Sequence, residues 1–346
     1  MEKRQRNRLF VVTIAVVALL FNGSVALGNW ANPGLLVDVE TVKNNVDKPD
    51  WVVIDSRDLK DYVNGHIPGA VSLGNRVKKV LRDATSRVFQ DIGKYESLFG
   101  KAGIDNNTHV VFYHGDLKTI TDATVGVWVL EYLGHDKVHF LDGGLDAWRN
   151  AGNRLDKTPV MKPPKTFKAK VVASRYSSTA EILDIARGAK NSTQLIDSRT
   201  AKEHTGDDIR TIKGGHVPHT TINVSHLNTL KKVKDPKTGK MKEIAYLDYD
   251  ATVKAFGGLD KNKRTIGYCQ TGTRSTLTYL QLRLLGFKEP ANWDESWRVW
   301  GSELHANFPI EAPNGPQYYN FDKVNKSLKK LEKKVEALEA LLKPKK

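Results

Sequence analysis

Cys269 is the only cysteine in 346 residues. It stands in the stretch YCQTGTRS (268–275), between an apolar run and a polar loop that ends in Arg274. TIGYC (265–269) reads as a buried strand and STLTYLQLRLLG (275–286) as a helix. The loop therefore falls at the carboxyl edge of a sheet, where open α/β folds bind ligands. The N–H groups of Gln270, Thr271, Gly272, Thr273 and Arg274 can curl toward the sulfur there, with the positive end of the helix behind them. Gly272 relieves crowding at the bend, and Arg274 adds a cation. Such surroundings lower a thiol's pKa by about one unit or more from its usual ~8.5, which makes Cys269 a nucleophilic thiolate at neutral pH.

Loop length narrows the chemistry. A Cys-x5-Arg loop, as in cysteine phosphatases and arsenate-type reductases, is wide enough to seat a tetrahedral oxyanion over the sulfur. Cys269 and Arg274 form a Cys-x4-Arg loop, one residue shorter. The tighter ring of donors suits a sulfur atom carried on the cysteine. Sulfur transfer is the expectation, and phosphoryl or arsenate chemistry the disfavoured alternative.

The elements that must hold this loop occur twice. WVVIDSR (51–57) matches TQLIDSR (193–199), GHIPGAVSL (65–73) matches GHVPHTTIN (215–223), and LDGGLDAW (141–148) parallels NWDESWRVW (292–300). Each half alternates β-branched runs with amphipathic stretches, the pattern of a parallel sheet flanked by helices. HVVFYH (109–114) and TDATVGVWVLEYLG (121–134) are the first-half counterparts of the strand and helix around Cys269. The organisation expected is a first domain over 30–155, a Pro- and Lys-rich linker over 156–174, a second domain over 175–318 and a C-terminal segment over 319–346. In that last segment Val324, Leu328, Leu331, Val335, Leu338 and Leu342 are spaced as a heptad seam, which predicts a helix docked on the body or a self-associating coiled coil over 324–342.

With these motifs the chain resembles the tandem-domain rhodaneses, a family of thiosulfate sulfurtransferases, across both halves. The resemblance implies two rhodanese-like α/β domains, the first catalytically silent because Tyr113-His114 stands where Tyr268-Cys269 stands in the second. It also implies a ping-pong reaction without a cofactor. Cys269 would take the outer sulfur of thiosulfate as a persulfide and pass it to cyanide or a thiol. Arg199 matches the family's substrate-binding arginine, Arg274 is the second candidate, and the loop amides through Gln270, Thr271, Gly272 and Thr273 complete the set. Thr271 stands where some thiosulfate enzymes have a lysine, and the Cys-Gly-Ser-Gly-Val loop of mercaptopyruvate enzymes is not matched. A persulfide carrier without small-molecule turnover is the alternative.

Other signals read as structural. His66 and His216 sit in matching turns, and Trp148, Trp293 and Trp300 read as packing, with Trp297 expected to wall the mouth of the site. His204, His219 and His226 lack ligand spacing, so no metal is expected. The opening MEKRQRNR followed by the uncharged LFVVTIAVVALLF, with Ser24-Val25-Ala26 after it, reads as a signal segment over 1–26, cleaved or kept as an anchor, and places the folded part outside the cytoplasm. That segment is the only expected membrane contact. Of the formal charge of +15, residues 1–8 carry +3 and 322–346 carry +5, leaving +7 for the body. Nucleic acid is not an expected partner, because the basic stretch 230–243 reads as a solvated hairpin without interleaved aromatics. Such a surface would still draw a small anion.

Overall fold

WVVID and HVVFY are apolar on both faces, as strands must be when helices cover both sides of a parallel sheet. A computed structural model describes residues 29–83, 88, 91–189, 192–234, 238–302, 308–313 and 319–342. The first half holds β1 (Leu36–Val37), β2 (Trp51–Asp55), β3 (Val71–Ser72), β4 (His109–Tyr113) and β5 (Val138–Leu141) in the order β1-β5-β4-β2-β3. The second holds β6 (Tyr176–Ser177), β7 (Gln194–Asp197), β8 (Thr220–Asn223), β11 (Arg264–Tyr268) and β12 (Glu289–Trp293) in the order β6-β12-β11-β7-β8. Every pairing in both sheets is parallel, and the two orders are the same when read by position. The duplicated α/β architecture is thus observed.

The basic stretch forms an antiparallel hairpin of β9 (Leu230–Lys234) and β10 (Met241–Leu247), which among the described residues has no counterpart in the first half. Residues 156–174 have no strand or helix before Ala173, yet they are strapped to the first domain. Lys165 N–H donates to Gly100 O (2.9 Å), Lys170 N–H to Leu133 O (2.8 Å) and Val172 N–H to Tyr132 O (2.7 Å), and Phe167 is buried. The expected signal segment lies outside the described residues. Among the described residues no helix is long and apolar enough to cross a membrane.

The halves join through equivalent helices, Ile120–Tyr132 and Arg274–Leu284, which pack on each other and are buried nearly all round. Thr124 and Thr276, 152 positions apart, share a hydrogen bond of 2.7 Å between their hydroxyls. Further along, the buried Glu131 carboxylate of the first domain accepts from Arg175, Tyr279 and Arg283 of the second (2.7, 2.8 and 2.9 Å). Three donors compensate its desolvation, so losing the carboxylate would strand two cations at the interface. Glu131→Ala is expected to lower stability by about 3–5 kcal/mol, read as a reduced midpoint in thermal or urea unfolding.

Candidate active site

Tyr268 ends β11, and the chain turns through Cys269–Thr273 into the helix that begins at Arg274. Each carbonyl of the turn is drawn outward. Cys269 O accepts from Trp297 N–H (3.0 Å), Gln270 O from Arg298 N–H (2.8 Å), Gly272 O from the Asn292 amide (3.1 Å) and Thr273 O from the Thr276 hydroxyl (2.7 Å). Thr271 O accepts from the Arg82 guanidinium, which comes from the first domain. In a trans peptide the next N–H points opposite to the carbonyl, so these bonds turn the loop amides inward. Thr271 and Ser275 N–H groups reach the Cys269 sulfur. Gly272 has φ +74°, and a Cβ there would lie 2.2 Å from Asp294 O, so no other residue fits.

Cys269 is fully buried. Burial pushes its thiol up, but the Arg274 guanidinium and the Ser275 and Thr271 N–H groups outweigh it, and the net direction is below the ordinary 9.0. The Arg274 helix carries no side-chain cap, so the sulfur takes the place of one. Arg274 is held by a bidentate bond to Glu203 (2.8 and 2.7 Å), whose carboxyl is drawn down to about 2 despite its burial by that arginine and by Thr200 N–H. Glu203 in turn is fixed by a capping box with Thr200 at the start of the helix Ala201–Thr205.

A cleft of about 380 Å³ lies above the loop, lined by Gln270, Thr271, Thr273 and Arg274, with Lys78 and Lys118 from the first domain and Arg210. An adjoining cavity of about 480 Å³ shares Gln270, Thr271 and Arg210 and adds Arg298, Lys323 and Lys326. No carboxylate lines either among the described residues. The sulfur itself has no contact with solvent, and Cys269 does not line the cleft, whereas the half-buried Gln270 and Thr271 next to it do.

Two expected site residues stand elsewhere. Arg199 is 1% exposed and clasps Asp197 through Nε and Nη2 (2.9 and 2.7 Å) while Nη2 also donates to Gly215 O (2.8 Å). Arg57 makes the same bonds to Asp55 and Gly65 O in the thiol-free half, so this pair belongs to the shared frame and not to a substrate pocket. Trp297 does not wall the mouth. Its ring is buried with the Arg199 guanidinium 4.3 Å above it, because Ser296 at φ +53° turns the chain back beneath the loop. His66 and His216, in the matching turns, bond carbonyls of the helices before them, Tyr62 O at 2.8 Å and His204 O at 3.0 Å.

The residues not foreseen are Arg82, Asp294, Asn292, Ser296 and Glu203. Arg82 Nη2 lies 2.7 Å from Asp294 Oδ1, and burial pushes the Asp294 carboxyl up to about 7 even so. Ser296 Oγ accepts from Cys269 N–H (3.0 Å) and donates to Trp293 O (2.7 Å). The aligned repeats held a signal for Ser296: it replaces Gly144, which also has positive φ, so a serine there occupies a position that costs strain. In the first half His114 occupies the place of Cys269, fully buried and with its pKa pushed down by burial to about 4.

The rhodanese-like domain model matches residues 38–151 and 179–303, and the chain belongs to this family. A thiosulfate sulfurtransferase of Corynebacterium glutamicum is 30% identical over 310 residues, 86% of this chain and 96% of its own length. A Mycobacterium tuberculosis protein, whose name assigns the same activity provisionally, is 31% identical over 80% of this chain and 97% of its own. Among solved structures, the 3-mercaptopyruvate sulfurtransferase SseA of Escherichia coli superposes with a TM-score of 0.62 at 23% identity over 76% of this chain and 98% of that one. The anaerobic ergothioneine biosynthesis enzyme of Chlorobium limicola superposes with a TM-score of 0.68 at 19% identity over 82% of this chain and 71% of that one. At these identities the two structures speak for the fold.

Arg82→Ala removes the partner of Thr271 O and leaves Asp294 buried without its cation. It is expected to lower the rate of sulfur loading at Cys269 roughly 10- to 100-fold, since a displaced loop amide misaligns the reacting sulfur, as stopped-flow kinetics would show. The acidic limb of the pH–rate profile should fall below the ~8.5 of an ordinary thiol, and Arg274→Gln should move that limb upward.

Proposed function

We propose that the protein is a thiosulfate:acceptor sulfurtransferase working through a persulfide on Cys269. The observation that carries this reading is a cysteine whose pKa is drawn down by Arg274 and loop amides, beneath a cleft lined by Lys78, Lys118, Arg210 and Arg274 and by no carboxylate among the described residues. A small dianion is drawn to such a cleft, and the low dielectric of the buried loop strengthens each contact. Membership of the rhodanese family and the names of its relatives support the reading.

The Cys269 thiolate attacks the outer sulfur of thiosulfate. A sulfur–sulfur bond forms on the enzyme, the bond inside thiosulfate breaks, and its electron pair leaves with sulfite. Negative charge grows on the departing sulfite, so Arg274 and the cleft cations bind the transition state more tightly than the ground state. The Thr271 and Ser275 N–H groups then hold the charge of the persulfide. Cyanide or a thiolate attacks the outer sulfur and leaves as thiocyanate or a new persulfide, and the Cys269 thiolate returns. Because Cys269 is fully buried, the rim of its loop must open to admit the donor. The charged and then apolar residues 1–21 support a place for this reaction outside the cytoplasm.

Incubation with thiosulfate is expected to raise the intact mass by one sulfur atom, about 32 Da, and cyanide to remove it. Cys269→Ser should lose thiocyanate formation by about three orders of magnitude or more. Retention of that activity by the variant would overturn the reading.

A further inference from the structure

The C-terminal helix Phe321–Leu342 has no buried residue. Its apolar side chains are open to solvent, with Leu328 45%, Leu331 55%, Val335 52%, Leu338 60% and Leu342 83% exposed. A single helix of this length is marginal in water unless its apolar face is covered. Phe321, Leu328, Val335 and Leu342 occupy a positions and Val324, Leu331 and Leu338 occupy d positions of one heptad frame.

The helix is rooted on the second domain through its first turns. Asn320 N–H donates to Ile212 O (2.9 Å), Lys323 Nζ donates to Ile209 O (3.3 Å), and Lys323, Lys326 and Ser327 line the cavity beside Gln270 and Thr271. Those last three are c, f and g positions. The face that meets the body is therefore not the a/d seam, and from Leu328 onward the seam points into solvent.

We infer that the seam is covered by the same helix of a second copy of this chain, in a parallel two-stranded coiled coil. The charges at the flanking positions select both partner and direction. In a parallel pair, Lys334 at g faces Glu339 at e of the other strand, an attractive contact made twice. An antiparallel pair with 338 opposite 328 would set Lys334 against Lys334 and Glu339 against Glu332. Leu at d together with Val335 at a favours two strands.

Sedimentation of the purified full chain from micromolar to submillimolar concentration is expected to rise from the mass of one chain to that of two. Leu331→Asp with Leu338→Asp should hold it at one chain while sulfur transfer stays unchanged. Lys334→Glu or Glu339→Lys alone should weaken the pair, and the two together should restore it. In a Cys269→Ser background, Leu338→Cys should give an interchain disulfide under oxidation. In an antiparallel pair position 338 would face 328, leaving the two 338 positions about 15 Å apart and unable to bond. One chain throughout the range, a mass above two chains, an oligomer indifferent to the aspartates, or binding of the single chain to anionic lipid vesicles through this seam would each overturn the inference.

Discussion

Everything at the sulfur depends on the outward pull on five carbonyls. Free amides do not turn inward on their own, because a short loop gains little from crowding its N–H dipoles together. Here the carbonyls of residues 269–273 are claimed by Trp297, Arg298, Arg82, Asn292 and Thr276. The dipoles that remain face one point, and a buried thiol at that point is stabilised as an anion against its own desolvation. The site is preorganised before any substrate arrives, so little of the substrate's binding energy goes into building it.

Duplication explains which residues are free to do chemistry. Arg57–Asp55 and Arg199–Asp197 are the same clasp in both halves, and a feature common to a thiol-bearing and a thiol-free domain belongs to the frame. What distinguishes the second half is local: Cys269 for His114, Ser296 for Gly144, and Glu203 holding Arg274. The first half still contributes to the surroundings of the sulfur. It sends Arg82 to the loop and Lys78 and Lys118 to the cleft, and the second half returns the contact when Leu247 N–H binds Asp142, the counterpart of Asp294, at 2.9 Å. Neither half has the complete site alone.

Electrostatics at the cleft are a matter of placement more than of total charge. Much of the formal +15 sits in the terminal segments. Of the cations over the loop, Lys78 lies 3.6 Å from Asp122, Arg210 pairs with Asp208 (2.9 Å) and Arg274 with Glu203 (2.7 Å), so carboxylates that do not line the cleft hold three of its four cations in place. Arg274 also shares its charge with the sulfur.

The repeat and the parallel sheets could both be read from the chain, and so could the loop that carries its one cysteine. Their signals are local and periodic: β-branched runs, IDSR twice, one cysteine at the end of a strand. The heptad spacing of 324–342 likewise announced a helix, because periodicity is a property of the sequence itself. Arg82 could not be found that way. It lies 189 positions from the carbonyl it holds, in the other domain, and nothing in its neighbourhood marks it. Arg199 and Trp297 were misplaced for the complementary reason: a motif names a residue's type, but whether an arginine faces substrate or is spent on the carboxylate two residues away depends on how its strand end packs. Local pattern thus determined the fold and the place of the one thiol at a strand end, and long-range packing alone decided which charges surround that sulfur, since only the folded chain brings distant donors within reach of it.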